Sequence, residues 1–208
     1  MFINKVGHYH LQNGLNCQDY GFINKNKKCV LDGCSEGIHS EVGVKLFAHL
    51  YSSGFPVNRA FNMIIDSMGF SHTDIKNYMC FTILSVTEDD IQFNIQHCGD
   101  GFIIKQHHDN GIEFEKLDDG EFPKYYAYNF VDTERLTHYK DGVSISEVQL
   151  PKSKYKNVGV ASDGLRYIFG SDFEDEFIEY LANRKESSLK RLINKEIKTF
   201  KDDITLVL

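Results

Sequence analysis

Residues 157–166 read NVGVASDGLR, a short apolar run that stops on Asp163-Gly164. Residues 26–34, NKKCVLDGC, stop in the same way on Asp32-Gly33, and the chain closes on KDDITLVL (201–208), where Asp202 and Asp203 precede a third apolar run. Alternation and β-branched content make each run a strand. Asp-Gly is the usual dipeptide of a tight hairpin, but a hairpin needs a returning strand. Neither GCSEGIHSEVG after Asp32 nor GLRYIFGSD after Asp163 alternates as such a partner would. A carboxylate at a strand end, followed by a glycine that admits close backbone approach, aims oxygen ligands at a cation. Hard divalent ions take such ligands. Asp119-Gly120 and Asp141-Gly142 lie in polar surroundings and read as turns. Asp100-Gly101 lies within IQFNIQHCGDGFIIK (91–105), which alternates on both sides; this stretch reads as a hairpin tip or as a further cation ligand.

Working outward, strand-like segments fall at 20–24, 28–31, 79–87, 91–97, 101–106, 112–116, 142–149, 157–161 and 203–208. Helical spacing marks 39–53, where Val42, Leu46, His49 and Leu50 share a face, and 58–68, where Phe61, Ile64, Ile65 and Met68 do. It returns at 172–184 and at 187–200, the last with Ser187 or Ser188 as cap. Helices gathered in two places, without strict βα alternation, predict an α+β fold of antiparallel sheets. The 208 residues are read as one domain, 1–208.

With 41% hydrophobic and 25% charged residues, the composition is that of a chain able to build a large core. A net charge of −7 argues against a nucleic-acid partner and leaves room for a cation site. The five cysteines include no C-x-x-C pair, which points away from a disulfide framework or a cysteine zinc site. There is no leader-like N-terminus and no apolar stretch of bilayer length, so a cytoplasmic protein without a membrane partner is expected.

In order along the chain, NCQDY (16–20), LDGCSEG (31–37), CGDGF (98–102), ASDGL (161–165) and DDITLVL (202–208) resemble the successive motifs of the type 2C metal-dependent protein phosphatases, the PPM family. HLQNGLNCQDY, DGCSEGIHSEVG and GEFPKYYAYNF (120–130) look most like a compact, divergent bacterial branch. The resemblance implies a four-layer α-β-β-α sandwich. It implies a hydrolase that removes phosphate from serine and threonine of a phosphorylated protein substrate, opposite a cognate kinase, with two Mg²⁺ or Mn²⁺ ions activating a water and a third ion beside them. By the same resemblance Asp32 bridges the two metals, Gly33 offers a carbonyl, and Asp163 and Asp202 complete the metal carboxylates. Asp19 supports them, Asp100 joins Asp163 at the third ion, and Asp203, where the family has Asn, is a supporting neighbour.

The departures are specific. Gly14 occupies the place of the family's phosphate-clamping Arg, with His10 the nearest substitute as a phosphate contact. Cys34 stands where some members carry a proton-donating His, and Gln18 where many carry Glu. A cysteine-based phosphatase is excluded, because no cysteine precedes a loop ending in Arg. The alternative from another class is a catalytically weak relative that binds phosphoproteins or regulates; a β-rich interaction domain with turn aspartates is the remaining one.

Overall fold

The computed structural model describes residues 1–25, 27–117, 124–131, 139 and 141–208. Its strands are β1 (Phe2–Lys5), β2 (Tyr20–Asn24), β3 (Lys27–Gly33), β4 (Phe81–Glu88), β5 (Gln92–Cys98), β6 (Gly101–His107), β7 (Ile112–Leu117), β8 (Ser146–Pro151), β9 (Tyr155–Ala161) and β10 (Ile204–Val207). They form two five-stranded sheets, ordered β1-β10-β9-β6-β7 and β2-β3-β4-β5-β8, with every pairing antiparallel. The helices are α1 (His8–Asn13), α2 (Ser40–Ser52), α3 (Val57–Met68), α4 (His72–Tyr78), α5 (Glu174–Ala182) and α6 (Glu186–Lys195).

The period of two sorts each strand's side chains into layers. In β3, Cys29 and Leu31 pack with Val44 and Phe47 of α2 and Phe61 of α3, while Val30 between them turns toward the other sheet. In β10, Ile204 and Leu206 join Phe177, Leu181 and Leu189 of α5 and α6, while Val207 faces inward with Leu84, Ile95, Val158 and Val160. Three apolar layers therefore separate four structural ones, and the α-β-β-α sandwich is the result. A fully buried side chain such as Phe47 contributes about 2–3 kcal/mol of transfer free energy.

Several expectations shift. The buried face of α2 runs through Ser40, Gly43, Val44, Phe47, Ala48 and Tyr51, with Leu46 and Leu50 half-buried against the same core, whereas Val42 and His49 are exposed. Met68 is exposed at the end of α3, where Gly69 stops the helix. The last helix begins at Glu186, so Ser187 and Ser188 lie inside its first turn and do not cap it. Short β1, α1 and α4 were not foreseen; α4 carries a capping box between Ser71 and Asp74 that the sequence does encode.

The clearest correction concerns 99–101. β5 and β6 do not pair; they belong to different sheets, and Gly99-Asp100-Gly101 carries the chain across. Its glycines take φ of 103° and 124°, values that side-chain-bearing residues rarely adopt. Alternation on both sides of an Asp-Gly signals two strands but cannot say that they are partners. Asp141 does lie in a turn, closed by Gly142 N–H donating to the Tyr139 carbonyl at 2.9 Å; Asp119 falls outside the described residues. Among the described residues no disulfide joins the cysteines, and no helix is long and apolar enough to cross a membrane.

Candidate active site

The end of β3, the exits from β9 and β5, and the approaches to β2 and β10 all reach one edge of the sandwich. They bring Asp32, Asp163, Asp100, Asp19 and Asp202 into one electrostatic neighbourhood. Burial, and then the negative charges of Asp19, Asp163, Asp202 and Asp100, push the Asp32 carboxyl well above the usual carboxylate range. Its Oδ2 lies 3.4 Å from the Asp163 backbone N–H, which donates to it. On the adjacent strand its register partner is Thr82, whose hydroxyl donates to Asp100 Oδ1 at 3.4 Å. Asp163 is raised to about 6 by burial, opposed by Arg166 and reinforced by Asp100 and Asp202.

Gly164 shows why the second Asp-Gly takes this form. A Cβ there would lie 1.8 Å from the Asp203 carbonyl oxygen, so only glycine lets the Asp163 segment lie against the start of β10.

Beneath the cluster lies a supporting tier. Asp203 is buried, and its Oδ1 accepts from Gly7 N–H at 2.7 Å and faces His10 Nδ1 at 2.8 Å, while Oδ2 accepts from Gln18 N–H at 2.7 Å. This one carboxylate ties the C-terminal strand to the N-terminal segment that carries Asp19. His10 is 3% exposed and its Nδ1 faces Asp203, so that nitrogen serves the framework, while the ring borders the groove that opens beside Asp202. Gly14, at the position of the absent Arg, is the C-cap of α1. Asp19 is 3% exposed, its Oδ2 lacks a hydrogen-bond partner, and its carboxyl is raised to about 8. Burial is the main cause and Asp203 the next; the polar groups of Ser162, Asp32 and Thr205 oppose them.

Arg166 stands at the acidic cluster although motif reading passed over it. It stands one turn beyond Asp163 on the 3₁₀ segment Asp163–Ile168, donates from Nη1 to Asp163 Oδ2 at 2.5 Å, and brings Nη2 to 3.8 Å from Asp202 Oδ2. Its signal was the i, i+3 spacing in SDGLR. Beside it a groove of about 480 Å³ opens, with Tyr9, Tyr167, Lys198, Lys201 and Asp202 among its walls.

Among the described residues no three His, Cys, Asp or Glu side chains stand together as a ready metal-holding group. The donor chemistry nonetheless fits a hard divalent ion: the acids are all oxygen donors, their negative charges gather on Asp32, and a buried Asp19 oxygen is left without a partner. The Gly33 carbonyl belongs to the same strand end as Asp32.

No family model matches the sequence, and no curated protein does. Solved structures do match in fold. The serine/threonine phosphatase Stp1 from Staphylococcus aureus superposes with a TM-score of 0.61 at 15% identity, over 99% of this chain and 92% of that one. The catalytic domain of the serine/threonine protein phosphatase PstP, in complex with two manganese ions, gives 0.60 at 16% identity over 99% and 94%. The PPM Ser-Thr phosphatase MsPP from Mycobacterium smegmatis gives 0.58 at 14% over 99% and 95%. The chain has the fold of the PPM serine/threonine phosphatases, over nearly its whole length.

Proposed function

We propose that the chain is a metal-dependent phosphatase of phosphoserine and phosphothreonine in proteins. The observation that carries this reading is the convergence of Asp19, Asp100, Asp163 and Asp202 on Asp32 at one edge of the sandwich. Asp32, Asp163 and Asp202, with the Gly33 carbonyl, would hold two Mg²⁺ or Mn²⁺ ions, and Asp100 with Asp163 a third. When bound, such cations supply a water acidic enough to attack a phosphate monoester at neutral pH and positive charge for the phosphate oxygens.

The chain's own residues do the rest. β3, hydrogen-bonded on both sides, holds Asp32 in place. Asp203 locks the Gln18-Asp19 segment under it, and His10 anchors Asp203 in turn. The groove beside Asp202 offers lysines and tyrosines to the peptide flanking a phosphorylated side chain.

Release of inorganic phosphate from a phosphoserine peptide checks this. Turnover should appear with added Mn²⁺, vanish with excess chelator and return when Mn²⁺ is restored. Folded protein that releases no phosphate with either Mn²⁺ or Mg²⁺ would instead favour the non-catalytic phosphoprotein-binding alternative, which the glycine at the position of the phosphate-clamping Arg supports.

A further inference from the structure

We propose that Arg166 is a tethered cation that occupies part of the acidic centre and must be displaced before a divalent ion can bind Asp163 and Asp202. This rests on the metal-centre reading above. The guanidinium donates to Asp163 Oδ2 at 2.5 Å, stands 3.8 Å from Asp202 Oδ2, and is backed by Tyr167, whose hydroxyl oxygen accepts from Nη2 at 2.9 Å. It therefore spans the two carboxylates assigned to the metals that come from the ends of β9 and β10. One arm of its fork takes a carboxylate oxygen that a metal ion would need. The side chain is 48% exposed, so it can swing into solvent without breaking a packed core.

A third acid shows that the pairing is partial. Asp19 Oδ2 is buried, without a hydrogen-bond partner, and out of the pair formed by Arg166, so the guanidinium neutralises the rim and leaves the floor of the cluster uncompensated. One internal cation then faces several carboxylates, and a small divalent ion that reaches deeper outcompetes it. Arg166 sets the concentration of metal at which this happens. The consequence is an apparent metal affinity lowered by a constant factor, with a displaced guanidinium left at the mouth of the centre once metal binds.

The experiment is Mn²⁺ binding to chelator-stripped full-length protein, followed by isothermal calorimetry and, in parallel, by the Mn²⁺-induced shift of the unfolding temperature. Neither readout requires turnover. Arg166→Gln should bind Mn²⁺ about fivefold more tightly than wild type, the scale expected on removing a half-exposed charge-assisted pair. Arg166→Lys, a point charge without the fork, should fall between them. Lys116→Gln removes another cation that bears on Asp163 without spanning the two acids, and should change affinity less than twofold if occupancy and not distant charge is the cause.

Binding by Arg166→Gln alone, with none by wild type, would be the strongest support. Equal affinity in wild type and Arg166→Gln would overturn the role of Arg166 while leaving the metal centre standing. No Mn²⁺ binding by either protein would overturn both. Should Arg166→Gln unfold without metal, the Arg166→Lys comparison decides: unchanged affinity there rejects the proposal.

Discussion

Asp203 is the residue on which the framework turns. Three donors, Gly7 N–H, Gln18 N–H and the His10 ring, converge on its two oxygens in a buried site. Asn at this position would keep one acceptor oxygen but set its amide hydrogens against the Gln18 N–H, so a charged, doubly accepting side chain suits this chain better than the family's residue. Replacing Asp203 with Ala leaves those donors buried and unpaired, at a cost of about 2–4 kcal/mol, and Asn should cost about half as much. Urea denaturation of the two variants measures this, and a loss below the error of the extrapolation in Asp203→Ala would show that the hydrogen bonds contribute little. His10 belongs to the same geometry: nothing in the order of residues says that Asp203 will lie beside its Nδ1.

At the scale of elements, the alternation of β3, β9 and β10 was legible because each strand has one face toward a helix layer and one toward the opposite sheet. The acidic ends were legible for the same reason, since a carboxylate cannot continue such a buried run. Pairing was not legible. The 91–105 stretch reads the same whether its strands return on each other or leave for different sheets; in the fold they belong to different sheets, with Ile95 of β5 and Ile103 of β6 in the apolar layer between them. The crossover also changes what is expected of Asp100. Gly99 and Gly101 carry the positive φ angles, so Asn at position 100 should leave the unfolding temperature within about 2 °C of wild type. It should nevertheless raise the Mn²⁺ concentration needed for half-maximal phosphate release several-fold, because the carboxylate charge toward Asp163 and Asp32 is gone. Wild-type metal dependence in Asp100→Asn would confine the residue to the crossover.

For the whole molecule, two apolar layers under helices and one between sheets supply the stability that lets one edge gather like charges. That arrangement makes the metal-free protein sensitive to pH. In the folded state Asp163 titrates at about 6 and Asp19 at about 8, and Asp32 is raised as well, whereas unfolded carboxylates titrate at about 4. Raised folded values mean that the native chain holds more protons than the unfolded one across this interval. Their contribution is complete below about pH 4 and is lost as pH rises through about 6 and then 8, a total on the order of a few kcal/mol shared across the cluster. Divalent ions replace those protons, so their stabilisation should grow as pH rises. The most direct measurement is therefore equilibrium unfolding of chelator-stripped protein from pH 5 to pH 8, with and without saturating Mn²⁺. The acidic edge as a metal centre predicts stability that falls with pH when metal is absent and an Mn²⁺ increment larger at pH 8 than at pH 5. A metal-free stability that is flat or rises over this range, together with no Mn²⁺ increment at pH 8, would contradict it.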